Sequence, residues 1–156
     1  RDARLTALAA PLGLDVDAPL MISGQYCAVL QYGELLYVSG QVPRVGNQVQ
    51  VTGAAGDAAS LDDARRAAEI CALRALILLR QQLGTLDALA QVLKLNVYVQ
   101  SAPGFTQQSE VADAASALLA QVLGAAGHAA RTSVGVAQLP KNATVELDLQ
   151  AASRVG

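Results

Sequence analysis

Apolar and polar residues alternate without interruption from Leu93 to Gln100, where Leu93, Leu95, Val97 and Val99 interleave with Lys94, Asn96, Tyr98 and Gln100. Successive side chains of a strand point to opposite faces, so this is the pattern of a strand with one buried face. The same period returns near the C-terminus. Val145, Leu147 and Leu149 alternate with Thr144, Glu146 and Asp148, while upstream Val134 and Val136 fall on one face and Arg131, Ser133 and Gly135 on the other. A break at Leu139-Pro140-Lys141-Asn142 separates the two segments and predicts a turn between paired strands. In that pairing Ser133 lies opposite Glu146, with Arg131 one step along the same polar face. Residue types alone read this as a surface ion pair on the solvated side of a sheet.

Helical periodicity appears in three places. Leu5, Leu8 and Ala9 are spaced for a short helix between Arg1 and Gly13, closed by Pro11-Leu12-Gly13. The longest helix is predicted between Ser60, a good N-cap, and Gly84, a glycine suited to the position past a helix end, with Asp62 and Asp63 favourable in its first turn. Its stripe of Ala64, Ala67, Ala68, Cys71, Ala75, Leu78 and Leu79 begins with small residues, which lets a helix lie close to a sheet. Around Leu73, Leu76 and Ile77 the apolar surface spreads beyond one stripe, so a second element or subunit is expected there. A third helix runs from about Gln107 to Leu123, marked by Val111, Ala115, Leu118, Leu119 and Val122 and closed by Gly124.

Earlier in the chain, Tyr26 to Tyr32 and Glu34 to Ser39 flank Gly33 and suggest a first hairpin; Gly40 to Gly56 reads as a loop, a brief strand at Gln48 to Val51, and another loop. The order of elements predicts an α+β fold, a layer of helices on one face of a sheet. A length of 156 residues suits a single domain, residues 1–20 forming an N-terminal helical extension.

Composition adds an interface and removes several functions. The chain is 53% hydrophobic and only 15% charged, more apolar than a monomer of this size needs, and the expected outlet is contact between subunits. A net charge of −2 with no basic cluster argues against nucleic acid as a partner. No dinucleotide or phosphate-loop glycine pattern occurs. Cys27 and Cys71 have neither metal-ligand nor redox spacing and read as reduced thiols of a cytoplasmic protein, Cys71 within the core stripe. His128 is the sole histidine, with no ligand cluster near it, and is read as a loop or cap residue. The early apolar run from Ala7 to Leu14 is short and broken by Pro11, unlike a membrane span or a signal peptide, although the absence of an initial methionine leaves a removed leader open.

Two separated motifs carry a family resemblance. Arg131-Thr132-Ser133-Val134-Gly135-Val136-Ala137-Gln138-Leu139-Pro140, followed by Val145-Glu146-Leu147, resembles the C-terminal signature of the Rid family, the reactive-intermediate deaminases also known as YjgF proteins. Tyr37-Val38-Ser39-Gly40-Gln41-Val42-Pro43 resembles the family's Ser-Gly-Gln-(Ile/Val)-Pro block, with Tyr26 at the spacing of its active-site tyrosine. The likeness runs from about Gly24 to Ala151, and Gly53-Ala54-Ala55-Gly56 with the long helix after it looks like an extended subgroup.

The resemblance implies a chorismate-mutase-like fold, a mixed sheet with two main helices on one face, assembled as a homotrimer with sites between subunits. It implies hydrolysis of 2-imino or 2-enamino acids to 2-oxo acids and ammonia, with no metal or other cofactor. Arg131 would bind the substrate carboxylate, for which a planar, permanently charged guanidinium is suited. Glu146 would position or activate water. Tyr26, Ser133 and Gly40 would complete the substrate pocket, Ser133 standing where the best-known members carry cysteine. Rival readings are a non-enzymatic binder of small carboxylates, which would keep Arg131 without depending on Glu146, and the RNA cleavage attached to some relatives, against which the acidic pI of about 5.2 argues.

Overall fold

The computed structural model describes residues 1–22 and 24–154. Ser60 starts the longest helix with a reciprocal cap. Its hydroxyl accepts from the Asp63 backbone N–H at 3.0 Å, and its own N–H donates to the Asp63 carboxylate at 3.0 Å, so two amides without helical partners are satisfied at once. Helix α2 (Leu61–Leu83) then runs to Gly84, which takes φ 82° where the chain leaves it. From Ile70 to Leu79 every residue of α2 is buried, including Arg74. The spread of apolar surface around Leu73, Leu76 and Ile77 is explained by cover from more than one side. Helix α1 (Asp2–Ala9) and helix α3 (Gln108–Leu123) pack on α2 while α2 lies on the sheet.

The main sheet has five strands. They are β1 (Val29–Tyr32), β2 (Leu35–Gln41), β5 (Leu89–Gln100), β6 (Ala130–Val136) and β7 (Val145–Ser153), in the spatial order β1-β2-β7-β5-β6. A small two-stranded ribbon, β3 (Arg44–Val45) with β4 (Gln48–Val49), follows β2. Strands β5 and β6 are parallel and are joined through α3; the other pairs of the main sheet are antiparallel. This is the mixed sheet with two main helices on one face that the resemblance implied.

The expected hairpin between the Arg131 and Glu146 segments does not form. β5 lies between β6 and β7, pairing Leu95 with Arg131 on one side and with Leu149 on the other. The segment after Val136 therefore crosses the end of β5 instead of turning back beside β6. Gln100, the last residue of β5, holds this crossing: its side chain donates to Asn142 Oδ1 at 2.9 Å and accepts from the Leu139 N–H at 3.1 Å. Lys141 and Asn142 take positive φ there. A twelve-residue strand placed centrally satisfies the backbone groups on both of its edges, which a β6–β7 hairpin would leave unpaired on one side.

Alternation then decides which side chains enter the core. Leu36, Val38, Leu95, Val97, Val99, Val145, Leu147 and Leu149 face the helices and are buried. The opposite face carries Leu30, Tyr32, Leu35 and Tyr37, between 39% and 81% exposed, with no element over them among the described residues. No helix is long and apolar enough to cross a membrane among the described residues.

Candidate functional site

Glu146 stands on the uncovered face of β7, beside Tyr98 of β5 and two residues from Asp148. Across from it β2 is irregular: Val38 pairs with Leu149 and Gln41 with Leu147, so Ser39 and Gly40 oppose Asp148 alone. That is a bulge, a device that re-aims side chains and occurs beside functional sites. At this bulge Gly40 leaves room for Glu146. A Cβ on residue 40 would overlap Glu146 Oε1 and press on its Cδ at 3.0 Å and Cγ at 3.3 Å. The glycine is required by a carboxylate packed over the backbone.

Ser39 fixes the next wall. Its hydroxyl donates to the Cys27 carbonyl at 2.6 Å and its N–H to the Ala28 carbonyl at 2.9 Å. These bonds hold the segment that presents Tyr26, which is 52% exposed. Tyr26, Gly40, Gln41 and Arg74 line one cleft of about 50 Å³.

Burial, and secondarily the negative charge of Asp148, raise the pKa of Glu146 above the ordinary glutamate value. A carboxylate so placed holds its proton more strongly than a free one, which moves it toward the range useful to a general base at neutral pH. Asp148 accepts a hydrogen bond from Asn96 Nδ2 at 2.8 Å. The Tyr98 phenol is likewise raised, by burial and then by Asp148.

Arg131 lies elsewhere. Paired with Leu95, it faces the helix layer together with Ser133 and Gly135, although Arg131 and Ser133 were expected on the polar face that also carries Glu146. The alternation within β6 is as read; its sense is inverted because β6 is an edge strand whose inner side meets the polar flank of α3. The guanidinium donates from Nη1 to Asp113 at 2.8 Å and to Ser116 Oγ at 3.1 Å, and from Nη2 to the Ser109 carbonyl at 3.5 Å. Ser133 Oγ is 3.5 Å from Ser109 Oγ. With strands about 4.8 Å apart, β6 and β7 are separated by about 10 Å, and their two side chains leave opposite faces. One chain thus brings Tyr26, Gly40 and Glu146 together and brings Arg131 and Ser133 together, but does not join the two groups.

The sequence profile of the endoribonuclease L-PSP family matches residues 17–153, nearly all of the chain. The chain belongs to this family, the Rid or YjgF proteins. Among Rid relatives it is 40% identical to protein TCP17 of Trypanosoma cruzi over 146 residues, 93% of this chain and 91% of that protein. Among solved structures it resembles Atu1372 of Agrobacterium tumefaciens, a protein of unknown function, with a TM-score of 0.86, 38% identity, and coverage of 97% of this chain and 94% of that one. A candidate endoribonuclease from Shewanella oneidensis shares the fold at TM-score 0.86 and 23% identity, covering 95% and 98% of the two chains.

Other polar residues near these Rid motifs escaped the sequence reading. Arg74 could have been noticed as a lone charge inside the apolar run from Cys71 to Leu79. Asp113, Ser116 and Ser109 sit on the polar flank of α3, and only the β5–α3–β6 crossover makes them partners of Arg131. His128 is exposed in the loop before β6, as a loop residue should be. Among the described residues no group of three or more His, Cys, Asp or Glu is placed to hold a metal ion.

Proposed function

We propose that this Rid-family chain hydrolyses reactive 2-imino and 2-enamino acids to 2-oxo acids and ammonia, at sites completed between the subunits of a homotrimer. The observation that carries the reading is the half-buried Glu146 carboxylate seated over Gly40 beside the Tyr26 cleft, its pKa raised by burial. Arg131 leaves the other face of the sheet in the same chain, so a small ligand meets both groups only if one protomer presents Arg131 to the Glu146 face of its neighbour. The uncovered Leu30, Tyr32, Leu35 and Tyr37 offer apolar area for that assembly.

In the proposed reaction Glu146 accepts a proton from water as the water oxygen bonds to C2 of the protonated imine. The carbinolamine nitrogen takes that proton from Glu146, the C2–N bond breaks to release ammonia, and Glu146 accepts the C2 hydroxyl proton as the carbonyl forms, passing it on to solvent or to the departing ammonia. Arg131, exchanging its exposed Asp113 partner for the substrate carboxylate, holds the acid end. A partly exposed ion pair contributes only about 0–1 kcal/mol, so a ligand carboxylate can displace it. Held reactants and a placed water suffice for a reaction that already proceeds slowly in solution.

The test is ammonia and 2-oxo-acid release from 2-iminopropionate generated in situ, comparing wild type with Arg131→Ala and Glu146→Gln. Acceleration should drop in both variants, with binding of the 2-oxo acid weakened at least about tenfold in Arg131→Ala and retained in Glu146→Gln. No acceleration by a folded wild-type protein that still binds the acid through Arg131 would replace hydrolysis with carboxylate binding.

A further inference from the structure

Arg74 is a buried cation with no acid paired to it among the described residues. It is 6% exposed, and among the described residues the ion pairs are Arg80 with Asp17 and Arg131 with Asp113. Its Nε donates to Gln41 Oε1 at 3.2 Å and its Nη1 to the Arg44 carbonyl at 2.9 Å. Those bonds fix the plane of the guanidinium and leave Nη2 without a hydrogen-bond partner among the described residues. Arg44 adds a second positive charge: burial, and the repulsion from Arg44, pull the Arg74 pKa below the ordinary arginine value.

Burying a charge without a partner opposes folding, and apolar replacements at such positions are often neutral or stabilising. In the middle of the most apolar run of α2, a leucine would pack at no such cost. The surroundings of Arg74 are open instead of filled. It lines the Tyr26–Gly40 cleft of about 50 Å³ and a larger cavity of about 200 Å³, which Arg44 also lines under the N-terminal segment from Gly13 to Met21. Since one water occupies about 30 Å³ of liquid, the space accepts a carboxylate or phosphate group. The acidic side chain on this cavity is Asp15, which is exposed and accepts from the Asp17 N–H at 2.9 Å.

We infer that Arg74 and Arg44 form an anion-binding subsite, distinct from Arg131, which takes a carboxylate or phosphate group of a small ligand in the cavity between the N-terminal segment and the turn after β2. With Nε and Nη1 each donating one bond, the Nη2 N–H groups remain as charged donors for an anion oxygen, and the adjacent Arg44 guanidinium supplies a second cationic donor. Arg74 and Arg44 also line the smaller cleft that Gly40 borders, so an anion here lies near the Glu146 site without needing hydrolysis to occur there.

The subsite is tested by titrating the full chain, at low salt, with inorganic phosphate and with the dicarboxylate 2-oxoglutarate. NMR reads the Arg74 Nε–H and Gln41 side-chain amide, and calorimetry reads affinity. Expected are saturable shifts of both signals by at least one anion and at least tenfold weaker affinity in Arg74→Met. Arg44→Met, at a half-buried position of β3, gives a second variant that weakens binding if Arg74→Met fails to fold. Which anion saturates distinguishes a phosphate-bearing ligand from a carboxylate-bearing one. If neither anion moves these signals in the wild-type chain, or both bind equally well to the arginine variants, the subsite is refuted, whatever happens to imine turnover.

Discussion

Gly40→Ala separates the candidate site from the fold. Gly40 does not occupy the left-handed region, so alanine meets no backbone penalty there, and restricting the unfolded chain stabilises by about 0.4–1 kcal/mol. The atoms in its way all belong to the Glu146 side chain: the new methyl overlaps Oε1 and crowds Cδ at 3.0 Å and Cγ at 3.3 Å. A half-exposed side chain can swing aside, and the carboxylate must move by about 1 Å, a misplacement that costs on the order of 100-fold when a catalytic group is involved. The expected outcome is a melting temperature within a few degrees of wild type, since about 1 kcal/mol shifts a chain of this size by about 2–4 °C, together with roughly 100-fold slower release of 2-oxo acid. Calorimetry and a coupled ammonia assay read the two quantities on one preparation. Unchanged turnover in a stably folded Gly40→Ala protein would refute the role assigned to the Glu146 carboxylate at this bulge.

The remaining predictions follow the same contacts. Because the folded chain binds the Glu146 proton more tightly than the unfolded chain, stability is full below the ordinary value of 4.5 and falls as pH rises through the raised folded value. Glu146→Gln should therefore melt higher than wild type at pH 7 but not at pH 4, while losing turnover; a lower melting point at pH 7 would contradict the burial argument. Cys71 is fully buried, which pushes its thiol well up, and Cys27 is exposed. A thiol reagent should leave Cys71 unmodified in the native protein and reach it only on unfolding, and rapid native labelling of Cys71 by peptide mapping would count against the packing of α2. Ser60→Ala removes the cap on α2 and should destabilise by about 0.5–2 kcal/mol in urea unfolding. An unchanged midpoint would show that the capping bonds are not made in solution.

The alternation at Leu93 to Gln100 and at Val145 to Leu149, the Ser60 cap and the Gly84 stop are local properties, set by side-chain periodicity and by backbone amides needing partners. The sequence by itself therefore determined the elements, and two separated motifs determined the family. Strand order was not local. Neither Arg131 nor Glu146 carries any mark that β5 will enter between them; that depends on a central strand satisfying two edges and on α3 returning β6 parallel to it. Faces follow from order, so Arg131 was read on the side of Glu146 and lies on the side of α3. The Gly40–Glu146 contact and the Arg74 cavity have the same origin. Their residues are far apart in the chain, and only tertiary packing decides that a glycine must lack a Cβ under one carboxylate, or that a charge within an apolar helix meets neutral acceptors and a cavity, with no acid paired to it among the described residues.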